Sequence, residues 1–182
     1  MSKNKKNKSS GFTLLEIIVV IGITVLLSTL AVTYNRSNER QLLMFRSQSE
    51  IVSAMNRARA LALERFDEPV EGKDLCGVGV RVSGEKDFHI FLDLENKGNC
   101  LNSDRRYSGS EEDFESFELA PQVEFAQGTS QGLEVLFVSP HLDVISSESF
   151  PVEIELISLD VNNAKIHISA VGQISIQEIV NQ

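Results

Sequence analysis

The feature that most constrains this chain lies near its start. Ile17 to Val32 (IIVVIGITVLLSTLAV) carries no charge, and Phe12 to Leu15 extend the apolar block, which Glu16 alone interrupts. A block of about twenty residues, rising about 1.5 Å per residue as a helix, nearly matches a hydrocarbon core of about 30 Å. Lys3, Lys5, Lys6 and Lys8 precede it with no acid among them. The positive-inside rule therefore leaves Met1 to Gly11 in the cytoplasm and sends the rest outward.

Charge is segregated along the chain. Residues 12–65 hold six Arg and four Glu, whereas residues 66–182 hold seven basic and 22 acidic side chains, a net of −15. A distal region of that sign repels phosphates, so nucleic acid is not expected as a partner. With 182 residues, 42% of them hydrophobic and 24% charged, the chain suits one globular domain with an appendage. Collagen-like and wholly disordered chains are excluded.

Three readings of the N-terminus compete. A cleaved secretory signal would be cut near Thr29-Leu30-Ala31. It would place Glu16 within its apolar region at a cost of about 2–3 kcal/mol, and the helical pattern runs on past the cut. A plain single-span anchor accommodates the length but gives Glu16 no purpose. The third reading rests on Gly11-Phe12-Thr13-Leu14-Leu15-Glu16, which resembles the processing signal of type IV prepilins and type II secretion pseudopilins. In that family a Lys-rich leader ends in Gly, Phe usually follows, and a Glu stands five places after the cut with an apolar run behind it.

The resemblance implies cleavage by a prepilin peptidase between Gly11 and Phe12, N-methylation of Phe12, and a role for Glu16 in subunit assembly. Cutting before Phe12 creates a positive amine at the hydrocarbon edge, and methylation keeps its charge. A lone carboxylate at that depth is expensive, and an opposite charge beside it lowers the cost. Glu16 paired with the Phe12 amine of a neighbouring subunit would set the axial stagger of a fibre. The alternatives are that Glu16 pairs with its own amine or is protonated.

Helical character continues from Tyr34 to Arg65 without Pro or Gly, giving a helix of about fifty residues. Gly22 and Ser28-Thr29 are its soft spots. Ile51, Ala54, Met55, Ala58, Leu61 and Ala62 mark one apolar face; Arg46, Glu50, Ser53, Arg57 and Glu64 fall opposite. Asp67-Glu68-Pro69 ends the helix region. Period two then takes over, with strands expected over Val78–Val82, Phe88–Leu92, Phe114–Leu119, Val123–Ala126, Leu133–Val138, Val152–Leu159, and around Ile166 and Ile174. The expected fold is α+β and pilin-like: a long N-terminal helix packed on an antiparallel β-sheet domain. Its segments are a leader (1–11), a membrane and assembly half-helix (12–33), an amphipathic half-helix (34–66) and an extracytoplasmic β domain (67–182).

The distal part resembles the H-type minor pseudopilins and related minor pilins, through the helix, Phe137-Val138-Ser139-Pro140, and the closing pair Ala164–Val171 and Gly172–Ile176. The resemblance implies a minor subunit in a secretion pseudopilus or a type IV pilus. Its partners would be the peptidase, other pilin subunits, an inner-membrane assembly platform and lipid. It would be a single-pass inner-membrane protein with a cytoplasmic N-terminus and a periplasmic or extracellular C-terminal domain. Some relatives bind DNA through Arg near the final hairpin; Val171-Gly172-Gln173-Ile174-Ser175 has none. A membrane-anchored binding or adhesion domain that never polymerises is the alternative.

Cys76 and Cys100, the only cysteines, flank the Val78–Leu92 hairpin. Outside the cytoplasm they are expected either to meet across its open end as a disulfide or to remain free thiols. With no His near them in sequence they make a poor zinc site. His89 and His167 alternate with apolar neighbours and are expected on exposed sheet faces; His141 stands apart. No nucleophile elbow, P-loop, dinucleotide fingerprint or HExxH helix is present, and Ser139 near His141 has no third group. No enzyme, catalytic residue, metal site or cofactor is expected. The oxygen-rich loop Asp93 to Asn99 is the one alternative for calcium. Lys97 takes a position where a calcium loop needs oxygen, so a solvated loop is expected instead. Glu111-Glu112-Asp113 reads as a solubilising run.

Overall fold

A computed structural model describes residues 13–64, 72–96, 100, 103–129, 132–139, 141–159 and 161–179. The cleavage-site residues Gly11 and Phe12, with Asp67-Glu68-Pro69 and Pro140, lie outside them. The chain divides into two compact units, Met1–Glu39 and Arg40–Gln182.

The Gly- and Pro-poor run forms one helix, α1 (Leu14–Glu64). Within the first unit its apolar side chains find no cover: each large one from Leu14 to Leu30 is at least 51% exposed. The stretch Leu14–Ala31 is long and apolar enough to cross a membrane. Gly22 has open space around it.

The described residues of the second unit form the rest of α1 and nine antiparallel strands. These are β1 (Lys73–Val82), β2 (Asp87–Asn96), β3 (Asp113–Glu118), β4 (Val123–Phe125), β5 (Glu134–Val138), β6 (Asp143–Ser146), β7 (Val152–Ser158), β8 (Asn163–Ile168) and β9 (Ile174–Ile179). This is the α+β organisation the sequence predicts, with one difference. The strands form two sheets, ordered β3-β2-β1-β5-β6 and β4-β7-β8-β9.

One core joins the helix to both sheets. Ile51, Ala54, Met55, Ala58 and Ala62 are buried as their spacing predicts, against Val78, Val80, Val82, Phe88, Ile90, Val135 and Phe137 of the first sheet. Val152, Ile154, Leu156, Ile166 and Ile168 close it from the second. Burying each such side chain contributes about 1.5–3 kcal/mol, which holds the helix to the sheets far more firmly than its own propensity does. Two side-chain hydroxyls tie the helix to the chain packed against it. Ser47 Oγ accepts the Ala120 N–H at 3.1 Å, and the Ser139 hydroxyl donates to the Ala62 carbonyl, one of the acceptors a helix end leaves open.

Candidate assembly site and the covered sheet face

The first candidate site is the start of α1. Thr13 precedes the first helical residue, and Glu16 is the third. The Thr13 N–H donates to Glu16 Oε2 at 3.1 Å, and the Thr13 hydroxyl lies 3.2 Å from the same oxygen. In return, the Glu16 N–H donates to Thr13 Oγ1 at 3.3 Å. This reciprocal arrangement is a capping box, and it satisfies donors that a helix start leaves without partners. The carboxylate also sits at the positive end of the helix dipole. Sequence reasoning passed over this role, although its signal, Thr and Glu three residues apart before an apolar run, was present.

The polar residues in the apolar stretch are satisfied within the helix. Thr24 Oγ1 donates to the Val20 carbonyl at 2.8 Å, Ser28 Oγ to Thr24 at 2.7 Å, and Thr29 Oγ1 to Leu26 at 2.8 Å. Hydroxyls bonded back to their own backbone leave no polar group that requires water. The first part of α1 thus combines a capped acid with a run, Ile17–Ala31, that carries no other charge.

Residues 6–32 match the prokaryotic N-terminal methylation motif. The match spans the predicted cut, Phe12, Glu16 and the apolar stretch, and it supports pilin-type processing and a membrane-anchored N-terminus. No curated protein and no solved structure matches the chain. The methylation motif stops before the second unit, whose chemistry must be read from its own residues.

The second candidate site is the face of the first sheet turned away from the core. Gly77, Gly79 and Arg81 alternate with the inward valines of β1, and His89, Phe91 and Asp93 alternate with the inward residues of β2. The loop between β2 and β3 folds over this face. Cys100 in that loop is joined to Cys76 of β1 by a disulfide, with Cα atoms 5.2 Å apart. Tyr107 packs edge-on against Phe91, with ring centroids 5.6 Å apart, and lies 5.0 Å from the His89 ring. The Arg81 guanidinium stacks 4.5 Å over Tyr107 and pairs with Glu134.

Phe91 is therefore completely buried and His89 only 7% exposed. The expectation of an exposed His89 is corrected: alternation put it on the outward face, but the loop covers that face. His167 is partly exposed on the second sheet, 3.1 Å from Gln177 and 3.5 Å from Glu153. Glu112, read in the sequence as part of a solvated run, is also buried. It accepts the Ser108 N–H at 2.7 Å. Asp93 is buried with its oxygens 2.8 and 2.6 Å from Ser103 Oγ. Among the described residues no group of three or more His, Cys, Asp or Glu is placed to hold a metal ion. Lys97 to Asn99 of the oxygen-rich loop lie outside the described residues.

Closing the disulfide between positions 24 residues apart is expected to contribute about 3–4 kcal/mol by the chain-entropy estimate. The double variant Cys76→Ser/Cys100→Ser should lower the urea midpoint of the full chain in detergent accordingly. An unchanged midpoint would show that Tyr107 and Phe91 hold the loop without it.

The buried groups give a pH dependence with a defined sign. Burial, aided by Arg81, pushes the His89 pKa below its ordinary 6.5, against the pull of Asp113 and Glu134. A His held neutral by folding contributes stability above its unfolded pKa and loses it as pH falls through the folded value. Burial raises the carboxyl pKa values of Asp93 and Glu112. Their contribution runs the other way: present in acid, and lost as pH rises through the raised values. Urea titrations of wild type and His89→Gln should diverge as pH falls below 6.5, with the wild type losing more. Parallel curves would remove His89 from the account.

Proposed function

We propose that this protein is a pilin-like structural subunit. A prepilin peptidase cuts it between Gly11 and Phe12 and methylates the new Phe12 amine. The subunit then assembles through its N-terminal helix into a type II secretion pseudopilus or a type IV pilus, by mechanical association rather than catalysis. The single observation that carries this reading is the methylation motif over residues 6–32, coincident with an apolar helix that has no cover of its own.

Before assembly the helix holds the subunit in the inner membrane, with Met1 to Gly11 cytoplasmic and residues 67–182 periplasmic. The segment boundaries follow from that placement: leader 1–11, membrane half-helix 12–33, and amphipathic half-helix 34–66. Further support comes from the part of α1 within the second unit. Leu42 and Phe45 are each more than half exposed near the start of that part, apolar side chains suited to packing against helices of neighbouring subunits. The helix, the β5 end at Phe137-Val138-Ser139 and the β8–β9 hairpin favour an H-type minor pseudopilin or minor pilin over a major subunit. Its partners are then other subunits and an inner-membrane assembly platform.

Mass spectrometry of the mature N-terminus, in cells that contain a prepilin peptidase, tests the proposal. The expected result is a chain beginning at N-methylated Phe12. An intact leader would replace the proposal with an anchored, non-polymerising domain, and a chain beginning near Val32 with a secreted one.

A further inference from the structure

The loop over the first sheet carries a second feature, independent of its role as a cover. Its described tip reads Ser103-Asp104-Arg105-Arg106-Tyr107. Arg105 has φ 55, a left-handed conformation that residues with a Cβ disfavour. Gln122 and Leu142 share that conformation, but in short turns joining consecutive strands. Arg105 stands between β2 and β3, away from such a turn.

Side chains on both sides hold the strained turn. The Arg105 N–H donates to Ser103 Oγ at 3.0 Å, and Ser103 is itself fixed against buried Asp93. The Arg106 N–H donates to Asp104 Oδ1 at 3.1 Å, and the Ser108 hydroxyl donates to Asp104 Oδ2 at 3.2 Å. Tyr107 then anchors the loop under Arg81. Backbone strain so firmly supported points to function.

Both arginines are exposed. The other described cations of the β region are spoken for: Lys73 by Glu111, Arg81 by Glu134, Lys86 by Glu124, and Lys165 by Glu153. Among the described residues of that region, Arg105 and Arg106 alone lack an ion pair. The charge of Arg105 is felt by Asp93, but that carboxylate is buried and already bonded to Ser103.

We infer that Arg105 and Arg106 form a preorganised docking point for a short carboxylate-rich segment of a partner protein. Two adjacent guanidinium forks, on Cα atoms about 3.8 Å apart, can each take a carboxylate in bidentate fashion. Because the turn is fixed beforehand, little loop entropy is lost on binding. Surrounding charge selects the class of partner. Residues 66–182 carry a net of −15, and exposed Glu111 lies on the same loop. A nucleic acid would run its phosphates beyond two cations onto acidic surface; an acidic segment a few residues long would not. This inference stands whether or not the leader is processed.

The test uses the full chain in non-ionic detergent at low ionic strength, with N-acetyl-Glu-Glu-amide, whose two carboxylates match the two arginines, as probe. NMR of the arginine Nε–H groups should show Arg105 and Arg106 shifting on titration. Arg105→Gln/Arg106→Gln should weaken binding about tenfold or more, and Arg105→Lys/Arg106→Lys, which keeps charge but not the fork, should restore only part of it. An unchanged thermal transition in both variants would confirm that the fold is intact. Absence of shifts, equal binding by the Gln variant, or tighter binding of the dinucleotide dTdT than of N-acetyl-Glu-Glu-amide would each overturn the inference.

Discussion

Glu16→Gln is expected to leave cleavage before Phe12 intact and to abolish efficient fibre assembly. The substitution separates two roles of one side chain. Gln serves in a capping box as Glu does, so the bonds with Thr13 can persist. The negative charge is lost, and the amine of a neighbouring Phe12 would then sit unpaired in apolar surroundings. Removing one partner of a buried pair costs about 3–5 kcal/mol, on the order of a hundredfold or more per contact. Thr13→Ala is the matching control: it removes a cap worth about 1 kcal/mol and leaves the charge. Processing read by N-terminal mass, with assembly read by sedimentation of sheared fibres, distinguishes the two. Normal fibres from Glu16→Gln would end the pairing role, and equal defects in both variants would assign Glu16 to the cap alone.

Gly79→Ala should be among the most destabilising single-atom-scale changes in the second unit. A Cβ built there lies 2.5 Å from two ring carbons of Phe91 and 2.9 Å from the Val135 carbonyl oxygen. The ring is completely buried beneath Tyr107, and the carbonyl belongs to β5, hydrogen-bonded alongside β1. Neither can yield without disturbing the sheet, so a cost of about 3 kcal/mol is expected, at the upper end for overpacking. Phe91→Ala alone should cost a comparable or larger amount, about 3–5 kcal/mol. The double variant should cost less than the sum, because removing the ring frees space for the methyl. Urea unfolding of the full chain in detergent measures all three. A Gly79→Ala variant within about 0.5 kcal/mol of wild type would mean that the outward face is not tightly packed.

These two sites were not equally legible in the amino-acid sequence. Helix α1 was readable because neither Pro nor Gly interrupts it beyond Gly22, and because apolar residues recur every three or four positions along its second half. Strands β1, β2, β5 and β8 announce themselves by alternation. β6 does not: Asp143-Val144-Ile145-Ser146 is short, and pairing with β5 makes it a strand. The division into two sheets depends on non-consecutive neighbours, β1 beside β5 and β4 beside β7, which period two leaves open.

His89 shows the same limit at one residue. Alternation correctly puts it opposite Phe88 and Ile90, but it cannot say what lies on that side. Cover comes from Tyr107, which looks like part of an aperiodic polar loop until the stacked Arg81 fixes its place. In the N-terminal motif, by contrast, the chemistry is local: glycine, phenylalanine, acid and apolar run are contiguous, so the sequence alone carries the signal.

The inward-bonded hydroxyls of Thr24, Ser28 and Thr29 have a consequence for how the first unit would move in the proposed assembly. A segment that already answers its own polar demands looks the same to acyl chains as to leucines of a sister helix. Leaving one for the other exchanges dispersion contacts and little else. In the proposed assembly, passage of Leu14–Ala31 from bilayer to filament would then be governed by the fit of surfaces, with Glu16 the one charged side chain in α1 before residue 32 whose surroundings must be rebuilt.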